Sequence, residues 1–168
     1  NYNLELKIET KTEKILALLE TWKPDIVGLS HYVWNKFLSK FMCTYAKKIN
    51  PDCLCVLGGP EFPAGTGARK IENNDRDKTY DKCLSYLISM PSVDYFSYSD
   101  GEVTFLEIVR KYIKNNCSIK LMKDKDKSMK GCAYVSKDKN KLVVGEYFPR
   151  IGMDGSVKVA GRDIVPSP

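Results

Sequence analysis

Three short segments carry the residues best suited to chemistry: Ser30-His31-Tyr32, Gly58-Gly59-Pro60-Glu61 and Ser99-Asp100-Gly101-Glu102. Each follows a short apolar run of strand character, and in open α/β sheets ligands sit beyond the carboxyl ends of the strands. Glycines there let a ligand approach the backbone closely. Asp100, Gly101 and Glu102 can offer amide donors or carboxylate acceptors where a helix begins. His31 is the only histidine, so no Ser/His/Asp relay can be assembled, and no nucleophile elbow surrounds it. Glu61 and Glu102 can meet at the strand ends as an acid/base pair, but carboxylates at loop mouths are ordinarily just solvated. The residue types therefore favour binding over independent catalysis, and no metal-ligand set stands out.

The other candidate chemistries fall away on spacing. Cys43, Cys53, Cys55, Cys83, Cys117 and Cys132 contain no CxxC or CxxxCxxC arrangement, so neither a zinc ribbon nor an iron–sulfur loop is encoded. They read as small core residues of a reducing compartment, which makes a cytoplasmic location the expectation. Gly65-Thr66-Gly67-Ala68-Arg69-Lys70 fails the Walker spacing, and no helix with GK[ST] follows; it reads as a loop. Residues 120–141 hold eight Lys against three Asp. Acid alternates with base there and aromatic platforms are scarce, so a solvated loop and hairpin is expected rather than a nucleic-acid surface.

The elements that must position these segments follow from periodicity. Asp25–Ser30 is an apolar, β-branched run after a Lys23-Pro24 turn. Asn35 can cap a helix whose apolar stripe is Phe37, Leu38, Phe41, Met42, Tyr45, Ala46 and Ile49. Asn50-Pro51-Asp52 stops it, and Cys53–Leu57 is the next apolar strand. Strand, helix and strand make a βαβ unit, so the two strands should be parallel. A helix over 77–90 turns Tyr80, Cys83, Leu84, Leu87 and Ile88 inward, and Pro91 ends it. Val93–Tyr98 is a third strand. Ser99 and Glu102 have capping-box spacing for a helix with Phe105, Leu106, Val109, Tyr112 and Ile113 inward. Earlier, Thr10 and Glu13 suit a capping box before Ile15, Leu18, Leu19 and Trp22. Later, residues 131–135 and 141–144 read as a β-hairpin, and the remainder as an extended linker. The first nine residues could be extended, with Leu4, Leu6 and Ile8 on one side.

At 168 residues one compact domain with a small appendage is expected. Hydrophobic residues make up 43% and the net charge is +6, a globular composition with no strong electrostatic partner signal. No apolar run approaches the ~18 residues needed to span a bilayer, so no membrane partner is expected. The chain starts at Asn1 and stops at Pro166-Ser167-Pro168; both ends read as cut from something longer.

The ordered set Pro24-Asp25-Ile26-Val27-Gly28-Leu29-Ser30, Trp34-Asn35, Asn50-Pro51 and Leu57-Gly58-Gly59-Pro60-Glu61 resembles the cobalamin-binding-type domain that precedes the catalytic barrel in many radical S-adenosylmethionine enzymes. The resemblance continues through Val93-Asp94-Tyr95, Gly101-Glu102 with Phe105, Gly131-Cys132-Ala133-Tyr134, and Asp163 to Pro168. It covers nearly the whole chain. Ser99 stands where the family has its first Gly and Asp100 where it has its first Glu. The DxHxxG motif, whose His ligates cobalt in one group of cobalamin proteins, is absent.

The resemblance implies an α/β fold: a Rossmann/flavodoxin-like parallel sheet flanked by helices, with a small C-terminal β-hairpin and an extended linker. It implies a cobalamin-binding-like domain over 1–118, lacking the family's first strand and helix unless residues 1–9 replace that strand. Residues 119–168 would be the hairpin and linker leading to a radical SAM barrel. It implies that Ser30, His31, Tyr32, Gly58, Gly59, Pro60, Glu61, Ser99, Asp100, Gly101 and Glu102 cradle cobalamin. The 4Fe-4S cluster and S-adenosylmethionine would belong to the downstream radical SAM domain, the expected partner. Two alternatives remain at this point: a scaffold module that keeps the fold without cobalamin, and an unrelated flavodoxin-like phosphoacceptor or nucleotide binder. A phosphoacceptor needs clustered Asp at the end of a first strand that is not visible.

Overall fold

A computed structural model describes residues 4–63, 76–99, 101–124, 127–136, 138, 141–146, 158–159 and 162–163. Strands β1 (Ile26–Ser30), β2 (Leu54–Gly58) and β3 (Tyr95–Ser97) lie side by side and parallel. Strands β4 (Cys132–Val135) and β5 (Leu142–Val144) continue the same sheet antiparallel, in the order β1-β2-β3-β4-β5. The expected hairpin therefore forms and is built into the sheet. A separate antiparallel pair joins β6 (Lys158–Val159) to β7 (Arg162–Asp163).

Successive strand residues face opposite sides, so one alternating pattern feeds two cores. On one face Val27, Cys55, Leu57, Phe96, Ala133 and Leu142 pack under helices α1 (Thr12–Trp22), α2 (Lys36–Ile49) and α3 (Arg76–Ile88). On the other, Leu54, Val56, Tyr95, Cys132, Tyr134 and Val143 pack under α4 (Gly101–Lys114) and α5 (Ile119–Lys123). This is the three-layer α/β arrangement of Rossmann- and flavodoxin-like folds. Five of the six cysteines are buried and all six are free thiols. Hydrogen bonding with a neighbouring cysteine (Cys55 for Cys53, Cys43 for Cys55), and then burial, push both thiols far above the usual range, which suits packing rather than reactivity.

At the amino end of the sheet one carboxylate ties all three layers together. Asp94, just before β3, accepts the Cys55 amide proton at 2.9 Å. It also pairs with Lys47 of α2 at 2.8 Å and Lys123 of α5 at 3.7 Å. Lys123 lies 5.4 Å from the Tyr95 ring centroid and 5.8 Å from that of Tyr134. Nothing in the local sequence signals this cluster, since its members are 47 and 29 positions from Asp94 and on opposite faces.

One expected detail comes out differently, and one helix was not expected. Helix α1 starts at Thr12 with Lys11 as its cap and no side-chain capping bond, so the Thr10/Glu13 box does not form. Glu9 instead accepts the amide protons of Thr10 and Lys11 at 2.8 and 3.0 Å, which holds Thr10 outside the first turn. Helix α5 had no periodic signal because five residues are too few to show one; Ser118 caps it by accepting from Leu121 N–H at 3.3 Å. Strand β1 is an edge of the sheet. Residues 4–9 form no strand against it, and Leu4, Leu6 and Ile8 are exposed.

Candidate functional site

The carboxyl ends of β1, β2 and β3 open onto a cavity of about 500 Å³, within the ~300–1,000 Å³ of small-ligand sites. Strand register decides its floor. Ser30 pairs with Gly58, and Gly58 with Ser97, so these three form one row across the sheet on the α4 side. The central position has no side chain, which leaves a trough with a hydroxyl-bearing residue at each end.

Ser97 is 2% exposed, and its Oγ finds no hydrogen-bond partner among the described residues. Such a hydroxyl costs stability unless something bonds it, and Ser97 lines the cavity. A Cβ placed on Gly58 would stand 3.5 Å from Ser97 Cβ and 4.0 Å from its Oγ. That is ordinary packing, so the protein's own contacts do not require glycine at 58. The same holds at Gly101, the first residue of α4, where a Cβ would meet nothing within 4 Å. Both glycines line the cavity and keep it open.

One wall is the Phe105 ring on α4. It lies against Gly28, where a Cβ would approach Phe105 Cε2 to 2.9 Å. The opposite rim is Tyr32, stacked on Trp34 at 4.6 Å and 8°. Asn35 holds that rim. It stands at the cap position of α2, but its Oδ1 accepts the Tyr32 amide proton at 2.7 Å and its Nδ2 donates to Ser30 O at 3.0 Å. The expected helix cap is thus spent on shaping the loop. Glu102, in the first turn of α4, is the only lining residue with a charge among those described, and none is a Lys, Arg or His.

Of the expected site residues, Ser30, Tyr32, Gly58, Gly59, Ser99, Gly101 and Glu102 come together around the cavity. Asp100 lies outside the described residues. Pro60 and Glu61 are not among those lining it. His31 is turned away from it. The ring is 1% exposed, with Nδ1 2.5 Å from Ser39 Oγ, Nε2 2.7 Å from Tyr86 Oη, and the Phe96 ring edge-on at 5.6 Å. A neutral ring satisfies this set: Nδ1–H donates to Ser39, whose hydroxyl donates to the Asn35 or Lys36 carbonyl at 3.2 Å, and Tyr86 donates to Nε2. Both nitrogens are engaged, so His31 is a structural link between α2 and α3 and no cobalt ligand in this arrangement. Sequence reading missed Gly28, Phe105 and Ser97. Phe105 and Ser97 carried the pattern of helix stripe and strand, and only register turns them toward the site.

The buried His31 predicts a pH dependence. Burial lowers its pKa below the ordinary 6.5, with Glu61 opposing and Lys36 adding to the shift. Below about pH 6.5 the unfolded chain therefore binds a proton that the folded chain refuses, and stability is lost as pH falls toward the folded value. Wild type should lose stability between pH 7.5 and 5.5 more steeply than His31→Gln. The difference in slope is bounded by about 1.4 kcal/mol per pH unit. Thermal melts at several pH values read it; parallel curves for the two proteins would refute it.

No family model matches this sequence. Over 87 residues, 52% of the chain, it is 29% identical to the cobalamin-dependent radical SAM methyltransferase TokK of Streptomyces tokunonensis. The match covers 10% of that relative's length. Among the described residues no three His, Cys, Asp or Glu side chains gather as a metal site, and no helix is long and apolar enough to cross a membrane.

Proposed function

We propose that this chain is a corrinoid-binding domain serving a radical S-adenosylmethionine enzyme. The observation that carries the reading is the strand-end cavity itself. It has two glycines that contacts among the described residues do not require. The distant similarity to a cobalamin-dependent enzyme supports it. A corrinoid with its peripheral groups is larger than the molecules that fill a cavity of this size, so the cavity takes one side of it. Gly58 and Gly101 admit the ligand edge, Phe105 and Tyr32 supply apolar contact, and the exposed Ser30 at the end of β1 supplies a hydroxyl. Cobalamin, when bound, supplies methyl-transfer or radical chemistry. This chain's residues bind and orient it and keep water from the buried edge. An iron–sulfur cluster and S-adenosylmethionine belong to a following domain in this reading, and residues 119–168 lead toward it.

The test is a titration of the purified chain with hydroxocobalamin, followed by corrinoid absorbance and by tryptophan emission, to which Trp34 at the cavity rim contributes. Saturable change in both signals at micromolar protein is expected. No change in either would overturn the reading and leave a scaffold of the same fold.

A further inference from the structure

Resting on the corrinoid reading, we infer that His31 is a positioning residue for the cavity rim, and that corrinoid binding competes with protonation of its ring. The residues on both sides of His31, Ser30 and Tyr32, line the cavity. The ring itself points into the core, and a chain of hydrogen bonds leads from it back to the rim. Nδ1 lies 2.5 Å from Ser39 Oγ. Ser39 Oγ and the Ser39 amide donate to Asn35 O at 3.2 and 2.9 Å. Asn35 in turn holds the rim loop, through Ser30 O at 3.0 Å and through Tyr32 N and O at 2.7 and 3.1 Å. The main chain of His31 is clamped as well: its amide donates to Gly58 O at 2.6 Å, and Gly59 packs against its carbonyl. The ring, the first turn of α2 and the rim therefore share one arrangement.

That arrangement suits the neutral ring. Tyr86 Oη, 2.7 Å from Nε2, donates to it. Burial and the Glu61 charge push the Tyr86 hydroxyl up to about 12, so it keeps its proton. A proton on Nε2 would oppose that of Tyr86 until the hydroxyl turned away, and a charge would then stand on a residue 1% exposed. The groups facing the ring do not offset that cost. Helix α2 presents Lys36, which opposes protonation; α3 presents Tyr86; β3 presents the Phe96 ring. Glu61, beyond β2, favours the proton, but with less effect than burial has against it. A protonated ring is relieved by moving toward water, which pulls on Ser39 and Asn35 and opens the rim. A ligand held by Ser30 and Tyr32 binds the arrangement with the neutral ring, so proton and ligand weaken each other by the same factor.

His31 is the only histidine, so its ring resonances titrate by NMR without overlap from another. Saturating hydroxocobalamin should displace the midpoint of that titration downward, a readout that needs no variant. The dissociation constant of hydroxocobalamin is then measured for wild type and His31→Gln, from pH 7.5 to one unit below the midpoint in the free protein. Gln does not titrate but can donate to Ser39 and accept from Tyr86, so the variant should bind within about threefold of wild type at pH 7.5. Over the range, the wild-type constant should rise at least about fivefold relative to that of His31→Gln. The ligand's own titration is common to both proteins and cancels. A midpoint that the ligand leaves in place, parallel profiles for the two proteins, or a ring that titrates only as the chain unfolds would overturn the inference while the corrinoid reading stands. A His31→Gln protein that folds yet binds nothing would make the ring a ligand contact and overturn it too. If wild type binds no hydroxocobalamin at pH 7.5, the corrinoid reading falls and this inference with it.

Discussion

Replacing Asp94 with alanine should destabilise the protein by about 3–5 kcal/mol, the cost of removing one member of a largely buried ion pair. The carboxylate faces Lys47 at 2.8 Å and Lys123 at 3.7 Å and accepts the Cys55 amide proton. Without it two ammonium groups keep their desolvation and lose their counter-ion. Burial already pulls the Lys123 pKa down, and the Asp94 charge is the largest influence holding it up. Lys123 should therefore shed its proton more readily in the variant. Urea denaturation gives the stability change through the midpoint at constant slope. Adding Lys47→Met and Lys123→Met to Asp94→Ala should recover much of the loss, because an apolar cluster needs no counter-charge. A loss under about 1 kcal/mol for Asp94→Ala would mean that water screens the cluster as it does an exposed pair.

Two neighbouring glycines should respond in opposite ways to alanine. At Gly59 φ is +146°, and a Cβ would stand 2.2 Å from His31 O. The backbone there cannot yield, because the His31 amide donates to Gly58 O at 2.6 Å and the Gly59 amide to Ser97 O at 3.3 Å. Gly59→Ala should cost about 3 kcal/mol. Gly58→Ala meets only ordinary contact with Ser97, so its stability should be unchanged or raised by up to about 1 kcal/mol. Its methyl group would fill the trough, however, and corrinoid binding should weaken by at least about tenfold. Denaturation curves and ligand titrations on the same preparations separate the two effects. Equal stability losses at 58 and 59 would show that both glycines serve the backbone alone. Unimpaired binding by Gly58→Ala would remove the trough from the site.

Much of the fold was legible because its signals are local. The β-branched run at 26–30, the apolar stripe after Asn35, the Asn50-Pro51 stop and the Gly58-Gly59 exit each reflect spacing within a single element, and the βαβ connection then requires parallel strands. The position of the candidate cavity was legible in outline for the same reason, since strand ends can be located once the strands are. Asn35 shows where that kind of reasoning stops. Its type and position fit a helix cap, yet its side chain bonds Tyr32 N and Ser30 O, because the loop before the helix folds back within reach.

The sequence by itself determined the strands and longer helices of the α/β core and where the chain leaves the sheet, for these depend on neighbours within a few positions, while the short α5 and the β6–β7 pair left no such signal. Tertiary structure alone decided what each strand end presents. Register aligned Ser30, Gly58 and Ser97 in one row from positions 28 and 39 residues apart. Packing of α2 and α3 drew His31 into the core between Ser39 and Tyr86. Docking of α4 laid Phe105 on Gly28. A side chain's face is set by pairing and packing between distant segments, and a periodicity confined to one element carries no record of them.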